Sequence, residues 1–341
     1  MTEKKIIERN LDGIYDNYRI PGIVTTEKGS ILVYYECRKS DSDWAEIDIG
    51  MRKSRDGGVT WSDRTILVYG NGKTVNNPIM FSDQEKLLFM WQEEYSRTFS
   101  MCSYDDGETW EEKKELTAYT KTEQYDYTVI ACGPGHGTVL RSGRYITPVW
   151  MCSNHANPKA HQPSVVATFY SDDRGEGWKL GEILKDEKLT DANETALAET
   201  EEGEIILNIR HRNEKHVRLI ARSKSGIGDW EEIDFDEALP DPRCAAGMVS
   251  DGETIYFSNC RDPKERHSLT LTKSTDGCAS WYPGMLIDQE AGYSDLALSR
   301  DKKRLYIFYE NFSEERKDLV FTGLATEELT LQADRREYGR K

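Results

Sequence analysis

Short apolar runs recur along the chain at intervals of about 50 to 60 residues, and each follows a polar turn. The six runs start near Ser30, Lys86, Gly143, Gly203, Gly252 and Lys303. Each is four to eight residues long and rich in β-branched or aromatic side chains, a composition typical of β-strands. The pattern predicts an all-β protein built from six similar units.

A second motif, Ser-x-Asp-x-Gly-x-Thr-Trp or a degenerate form of it, follows five of the six runs. Its copies span residues 54–61, 103–110, 171–178, 223–230 and 274–281. The Asp can accept hydrogen bonds from its own loop, the Gly permits a positive φ, and the Trp can anchor the turn against its sheet. The motif therefore predicts a hairpin turn with a structural rather than a catalytic role.

The five regularly spaced copies resemble the Asp-box turns of sialidases and related propellers. This resemblance implies a six-bladed β-propeller, in which each four-stranded blade buries its faces against its neighbours. The sixth run lacks an Asp box, so we expect the segment before Arg19 to complete the last blade and close the ring. We assign residues 1–341 to this single catalytic domain, since all-β domains often exceed about 200 residues.

Composition restricts the possible partners. A net charge of −16 argues against nucleic acid and anionic membrane surfaces, because both require a basic surface. No stretch approaches the roughly 18 apolar residues of a membrane span, so membrane insertion is not expected. An anionic substrate must then be held by a local cluster of arginines, since salt screens charges more than about 8–10 Å apart.

The N-terminus and the cysteines predict a cytoplasmic protein. The first ten residues are polar and charged and lack the apolar core of a secretory signal. The seven cysteines are an odd number without metal-ligand spacing, which suits reduced, buried thiols. We expect no metal site and no organic cofactor, and the sequence has no motif such as HExxH.

Two N-terminal segments resemble parts of the sialidase site. Tyr-Arg-Ile-Pro-Gly matches the Arg-Ile-Pro motif that opens sialidases, which implies that Arg19 is the first of three arginines that hold the substrate carboxylate. Arg-Lys-Ser-Asp-Ser-Asp-Trp occupies the position of the loop that carries the catalytic acid. We choose Asp43 as the acid, with Asp41 as the alternative. Arg38 matches a family position that lines the same pocket.

Two further segments are similar to those that supply the activating glutamate and the other arginines. Asn-Glu-Thr and the later Asn-Ile-Arg imply Glu194 and Arg210, which are sixteen residues apart. Arg212 is the alternative to Arg210, since residues two apart on a strand face the same side. Arg-His-Ser-Leu-Thr-Leu, ahead of the last Asp box, implies Arg266 as the third arginine, with Arg261 as its alternative.

The nucleophile segment is Ala-Gly-Tyr-Ser-Asp-Leu, which looks like that of the family and implies Tyr293 as the nucleophile. Glu310, in Ile-Phe-Tyr-Glu-Asn, matches the acid that supports the first arginine. Gly-Pro-Gly-His-Gly also resembles a family stretch. We interpret it as a structural loop near the pocket and do not assign a catalytic role to His136.

These residue types fit the chemistry of sialic acid. Its anomeric carbon carries a carboxylate, so a carboxylate nucleophile would meet like-charge repulsion on the order of several kcal/mol. A neutral tyrosine avoids this repulsion but, with an ordinary pKa of about 10, needs an adjacent base, here Glu194. Arginines recognise a carboxylate bidentately. Asp43 must be protonated to act as an acid, so we expect its pocket to raise its pKa.

The resemblance therefore implies a retaining exo-α-sialidase that acts through a tyrosyl-glycoside intermediate on sialylated oligosaccharides or glycoconjugates. A trans-sialidase or a hydrolase of a related nonulosonic acid would use the same residues. A non-catalytic, glycan-binding Asp-box propeller is the alternative from another class. Such a protein would be free to lose the Tyr/Glu pair, whereas this chain has a candidate for every role.

Overall fold

The computed structural model describes residues 3–10, 12–313 and 317–329. Residues 1, 2, 11, 314–316 and 330–341 of the predicted 1–341 domain lie outside this description. The described ranges contain 25 β-strands and one four-residue helix, α1 (Thr117–Thr120). Within them, no helix has the length and apolar character needed to cross a membrane.

In chain order the strands are β1 (Lys5–Glu8), β2 (Asn17–Thr25), β3 (Ile31–Arg38), β4 (Ile47–Ser54), β5 (Thr65–Val68), β6 (Val75–Asp83), β7 (Lys86–Glu93), β8 (Arg97–Ser103), β9 (Lys114–Glu115), β10 (Val129–Cys132), β11 (Thr138–Val139), β12 (Tyr145–Cys152), β13 (Ser164–Ser171), β14 (Lys179–Leu180), β15 (Thr195–Glu199), β16 (Ile205–Ile209), β17 (Val217–Ser223), β18 (Glu231–Pro240), β19 (Gly247–Ser250), β20 (Ile255–Cys260), β21 (His267–Ser274), β22 (Met285–Glu290), β23 (Ser294–Leu298), β24 (Arg304–Phe312) and β25 (Lys317–Ala325).

The strands of the described ranges form six antiparallel sheets, and each sheet is one blade. Blades 1 to 6 are β2-β3-β4-β5, β6-β7-β8-β9, β10-β12-β13-β14 with β11 also paired to β12, β15-β16-β17-β18, β19-β20-β21-β22, and β23-β24-β25-β1. The predicted six-bladed all-β propeller is confirmed. The six apolar runs of the sequence are the second strands of the blades, β3, β7, β12, β16, β20 and β24.

The N-terminal strand closes the ring. β1 pairs antiparallel with β25, so the last blade takes three strands from the end of the chain and one from its beginning. β2 of blade 1 also contacts β23 of blade 6. This is the closure predicted for the segment before Arg19, and it packs the first blade against the last.

The hydrophobic core lies between the blades. Among the described residues it divides into six clusters, and each joins two neighbouring blades. Between blades 2 and 3, for example, the ring of Phe81 stacks on that of Tyr145 with centroids 5.2 Å apart. Trp178 of an Asp box packs 4.8 Å from Phe169 in the same cluster. A blade therefore buries its apolar faces only by having neighbours on both sides.

The Asp boxes lie at the turns between the third and fourth strands of blades 1 to 5. In the first copy, Asp56 accepts hydrogen bonds from the backbone N–H and the hydroxyl of Thr60, at 2.9 and 2.6 Å. Gly58 has a φ of 91°, and a Cβ there would lie 2.1 Å from the ring of Phe321 in blade 6. These contacts match the predicted hairpin turn and explain why glycine is needed in it.

Candidate active site

A cavity of about 200 Å³ draws its lining from all six blades, so residues distant in sequence meet there. It is lined by Arg19, Ile20, Arg38, Asp43, Asn77, Tyr95, Trp150, His161, Asn193, Glu194, Arg210, Arg212, Arg266 and Tyr293. Seven of the eight residues predicted for the site are in this group. The eighth, Glu310, lies directly behind the cavity and accepts hydrogen bonds from three of its lining residues, Arg19, Ile20 and Tyr293.

Tyr293 and Glu194 form the centre of the site. The Tyr293 hydroxyl donates to the Glu194 carboxylate, with Oη 2.7 Å from Oε2 and 2.8 Å from Oε1. Arg210 Nη1 donates to the same Oη at 2.8 Å and also bonds Glu194. Since Arg210 can only donate, the phenolic proton points to Glu194, which is therefore placed to accept it.

A β-hairpin brings Glu194 and Arg210 together. Glu194 immediately precedes β15 and Arg210 immediately follows β16, and these two strands pair antiparallel. The Arg210 N–H donates to the Glu194 carbonyl at 3.2 Å, and the Asn193 N–H donates back to the Arg210 carbonyl at 3.0 Å. The sixteen-residue spacing seen in the sequence is thus the length of one hairpin whose ends face Tyr293.

The environment keeps Tyr293 protonated. Burial raises the pKa of Tyr293 above its ordinary value, against the opposing effect of Arg210, and the Glu194 carboxylate adds to the rise. At neutral pH the side chain is therefore an uncharged phenol. This agrees with the expectation of a neutral nucleophile that needs a base in contact with it.

The three predicted arginines converge on Tyr293. The guanidinium carbons of Arg19, Arg210 and Arg266 lie 5.1, 6.0 and 5.2 Å from the centroid of its ring. Arg19 and Arg210 come from β2 and from the end of β16, whereas Arg266 precedes β21 and is more exposed. Three guanidinium groups around one ring can together hold an anionic group, even in a chain of net charge −16.

The alternative arginines are placed differently. Arg212 also lines the cavity, but Arg210 is the one that contacts both Tyr293 and Glu194. Arg261 points elsewhere and donates to the carbonyl of Ala238 at 3.0 Å.

Glu310 connects Arg19 to the nucleophile segment. Its Oε1 accepts from Arg19 Nε at 2.6 Å and from the Ile20 N–H at 3.1 Å, and its Oε2 accepts from the Tyr293 N–H at 2.9 Å. The pairing of β2 with β3 shifts register between Arg19 and Gly22, and Ile20 has a φ of 57°, rare for a β-branched residue. Glu310, fully buried, therefore stabilises the bulge that turns Arg19 into the cavity.

The two candidate acids differ in position and in exposure. Asp43 Oδ1 accepts from Arg38 Nη1 at 2.8 Å, and its side chain lines the cavity while 48% exposed. Asp41 lies outside the cavity lining, is 72% exposed, and pairs with Lys317 at 2.9 Å and with Asn17. The geometry favours Asp43 as the residue able to reach a substrate.

The predicted effect of the pocket on Asp43 is wrong for the free protein. Burial does act to raise the pKa of this carboxyl. The Arg38 guanidinium, however, with further contributions from His161 and Arg19, lowers the pKa below its ordinary value. The expected rise in pKa was drawn from the role of a general acid and did not include the ion pair of Asp43 with Arg38.

Three aromatic residues beside Asp43 were not among those predicted for the site: Tyr95, Trp150 and His161. The His161 ring lies 4.9 Å from that of Tyr95 and 5.2 Å from that of Trp150, and its Nδ1 is 4.0 Å from Asp43. Trp44, next to Asp43 in the chain, lies 4.9 Å from Tyr95. Trp150 lies on β12, whereas Trp44, Tyr95 and His161 lie in loops of three different blades. No local signal in the sequence could therefore have grouped them.

His136 lies outside this cavity. It lines a separate cavity of about 410 Å³, which contains none of the predicted site residues. Its Nδ1 is 2.9 Å from Asp295 Oδ1, and Asp295 Oδ2 accepts from the Ile23 N–H at 3.0 Å. Asp295 of blade 6 thus joins the His136 loop of blade 3 to Ile23 of blade 1, which fits the structural role assigned to this loop.

Comparison with known families supplies the classification. The sequence profile of the BNR repeat-like domain matches residues 60–307, more than half of the chain. The chain belongs to the BNR repeat-like family. In this family member, Arg19, Arg38 and Asp43 precede the matched range and Glu310 follows it. The other four predicted site residues lie within it: Glu194, Arg210, Arg266 and Tyr293.

This BNR repeat-like chain resembles proteins named sialidases, as predicted. A sialidase of Bacteroides fragilis is 29% identical over 341 residues, covering 86% of this chain and 60% of the relative. This chain thus spans about 60% of the length of that relative.

Among solved structures, the Hadza microbial sialidase Hz136 has a TM-score of 0.82 at 22% identity and covers 95% of this chain and 69% of that one. A Trypanosoma rangeli sialidase, in complex with 2,3-difluorosialic acid as a covalent intermediate, has a TM-score of 0.76 at 19% identity. This match covers 94% of this chain and 55% of that one. At these identities the structural similarity establishes the propeller fold of this BNR repeat-like protein.

Proposed function

We propose that this protein is a retaining exo-α-sialidase that hydrolyses terminal sialic acid from oligosaccharides or glycoconjugates. The observation that carries the proposal is the convergence of Arg19, Arg210 and Arg266 on Tyr293, whose hydroxyl donates to Glu194. The names of the relatives support the same reading. A 2-keto acid sugar supplies both the carboxylate that three arginines recognise and the charge that requires a neutral nucleophile.

The first chemical step forms a bond between Tyr293 and the sugar. As Tyr293 Oη attacks the anomeric carbon, its proton passes to Glu194, which lies 2.7 Å away. The bond from the anomeric carbon to the leaving oxygen breaks, and that oxygen takes the proton of Asp43. The products are the free aglycone and a tyrosyl-glycoside, with Glu194 protonated and Asp43 ionised.

The second step restores the enzyme. A water attacks the anomeric carbon from the face that the aglycone left, and the Asp43 carboxylate takes the proton of that water. The bond to Tyr293 Oη breaks, and Glu194 returns its proton to the phenolate. Two displacements at one carbon give net retention of configuration.

Asp43 must gain a proton before the first step, although Arg38 keeps its pKa low in the free protein. The substrate brings a carboxylate to Arg19 and so offsets one of the positive charges that favour ionised Asp43. A bound sugar also displaces water from the Asp43 side chain, which is 48% exposed. Both changes raise the pKa of Asp43 in the complex.

The test is hydrolysis of a fluorogenic aryl α-sialoside by the wild type and by Tyr293→Phe. The wild type should release the fluorophore, and the variant should lose at least about 10³-fold in kcat, since it lacks the nucleophilic oxygen. Tyr145→Phe is the matched control, because it removes the hydroxyl of another buried tyrosine, which donates to Asp83 at 2.7 Å and does not line the cavity. Equal activity of Tyr293→Phe and wild type contradicts the assignment.

Product analysis separates the related reactions. NMR of the first-formed product should show the α-anomer of free sialic acid, as retention requires. A sialylated acceptor when lactose is added would indicate a transferase, and an anhydro-sugar would indicate intramolecular transfer. Tight binding of a sialoside without turnover would indicate a glycan-binding propeller instead.

A further inference from the structure

One buried guanidinium bridges two carboxylates at the acid side of the cavity. Arg38 Nε and Nη2 lie 2.7 and 2.5 Å from Glu36 Oε2, and Arg38 Nη1 lies 2.8 Å from Asp43 Oδ1. Arg38 and Glu36 are both fully buried, whereas Asp43 faces the cavity. Glu36 sits behind Arg38, outside the set of residues that line the cavity.

Glu36 is held from two blades. Besides Arg38 on its own strand β3, it contacts Asn77 on β6, whose N–H donates to Glu36 Oε1 at 2.8 Å. Asn77 itself lines the cavity and has a φ of 48°. With both oxygens engaged and no exposed surface, Glu36 can fix the plane of the Arg38 guanidinium and hence the direction in which Nη1 meets Asp43.

We propose that Glu36 is a positioning residue for the acid: by sharing Arg38 with Asp43, it orients the guanidinium and offsets its charge, so that Asp43 can carry a proton when a substrate is bound. The inference rests on the proposed function of Asp43 as the general acid. The charge of Glu36 offsets that of Arg38. If Glu36 lost its charge, Asp43 would face an uncompensated Arg38, and the ionised form of Asp43 would be favoured further.

The two carboxylates influence each other through this bridge. Burial raises the pKa of Glu36, the Arg38 guanidinium opposes that rise, and Asp43 contributes to it. Coupling of this kind is reciprocal, so the charge of Glu36 acts on Asp43 in the same sense.

The other charged or titratable groups around Glu36 and Asp43 lie on several strands and loops. Arg19 on β2 and His161 in the loop before β13 face Asp43, and Tyr95 after β7 faces both carboxylates. Burial lowers the pKa of His161, so its ring is neutral at neutral pH. A Glu36 variant leaves these groups in place, and a change in pH dependence can therefore be assigned to Glu36.

The variant to test is Glu36→Gln, assayed on two substrates. An aryl α-sialoside has a good leaving group and needs little help from an acid, whereas sialyllactose has a sugar alcohol as leaving group and needs full protonation. We expect kcat/KM on sialyllactose to fall about tenfold more than on the aryl sialoside at neutral pH. We also expect the basic limb of the pH profile of kcat on sialyllactose to move about one pH unit lower. A fall of one unit in the pKa of Asp43 lowers its protonated fraction tenfold.

The ratio of the two activities is measured on one preparation, so partial loss of folded protein does not change it. Glu8→Gln is the matched control, because Glu8 is also a buried carboxylate that pairs with two arginines, at 2.7 and 2.8 Å, but on strand β1 away from the cavity. Its substrate ratio and pH profile should equal those of the wild type, whatever happens to its stability.

A double variant tests whether Glu36 acts through Asp43. Asp43→Asn should raise the aryl-to-sialyllactose ratio, and adding Glu36→Gln should raise it no further. A wild-type ratio and pH profile in Glu36→Gln, or a further rise in the double variant, would overturn the inference and leave the proposed function standing. A wild type that hydrolyses neither substrate would overturn both.

Discussion

The perturbation that tests the architecture of the site most sharply is Glu310→Gln. Glu310 has no exposed surface and accepts three hydrogen bonds, from Arg19 Nε at 2.6 Å, from the Ile20 N–H at 3.1 Å and from the Tyr293 N–H at 2.9 Å. All three partners are donors, and they use both carboxylate oxygens. Glutamine has one acceptor oxygen, so at least one of these N–H groups must face an amide NH₂ group.

The magnitude follows from these contacts. An unsatisfied buried donor costs about 1–3 kcal/mol, and removing one partner of a buried ion pair costs about 3–5 kcal/mol. The two costs overlap at this site, so we expect a loss of about 3–5 kcal/mol in the free energy of unfolding. With about 2.1 cal/mol/K per residue, the unfolding entropy of a 341-residue chain converts this loss to a fall in Tm of roughly 4–7 °C.

The functional effect should appear in substrate binding. Without its charged partner, Arg19 loses a charge-assisted hydrogen bond that orients it toward the cavity, an interaction worth about 1.5–3 kcal/mol. If that orientation is lost, kcat/KM on an aryl sialoside falls roughly 10- to 100-fold, mainly through KM.

The assay combines thermal unfolding with steady-state kinetics on the same samples. Glu253→Gln provides the control, since Glu253 is an exposed carboxylate on the turn between β19 and β20. Its Tm and kinetics should match the wild type. If Glu310→Gln also retained the wild-type Tm and KM, Glu310 would not be the residue that holds Arg19 in place.

Three further outcomes follow from the structure. Arg266→Lys keeps the charge but loses the planar guanidinium that recognises a carboxylate, so KM measured by steady-state kinetics should rise about tenfold or more. Arg261→Lys is the control and should behave as wild type, since Arg261 does not line the cavity. Hydrogen bonds from Thr109 lower the pKa of Asp105 to about 2, so ionised Asp105 stabilises the fold above about pH 4 and this stabilisation is lost as the pH falls toward 2. Asp105→Asn should therefore flatten the pH dependence of Tm between these two values. Gly58→Ala should lower Tm by several degrees because its Cβ would lie 2.1 Å from a ring of the neighbouring blade, whereas Gly72→Ala, with open space around it, should cost less.

The fold could be predicted because the sequence repeats. Each blade needs an apolar second strand and a tight turn, and five turns keep a recognisable Asp box even where residues such as Cys278 have replaced the glycine. The completion of the last blade by the segment before Arg19 could be inferred as well, since the sixth unit lacks an Asp box, and β1 does pair with β25. Periodicity and turn chemistry are local properties, and the sequence displays them directly.

The site was only partly predictable. Residues in short family-like segments, such as Arg19 and Tyr293, do meet in the cavity. The pKa of Asp43 could not be anticipated, because it depends on an ion pair with Arg38 that burial alone does not reveal. His161 and Glu36 were also missed, since each depends on a neighbour from another blade: Tyr95 packs against His161, and Asn77 donates to Glu36.

The central claim is that Tyr293 bonds covalently to the sugar, and trapping that bond tests it most directly. A 2,3-difluorosialic acid should react with the wild type and accumulate as an adduct, because the fluorine beside the anomeric carbon slows the release step. Digestion and mass spectrometry should then place one sugar on the peptide that carries Tyr293. A sugar bound to Asp43 or Glu194 instead, or no adduct on an enzyme that turns over sialosides, would contradict the account.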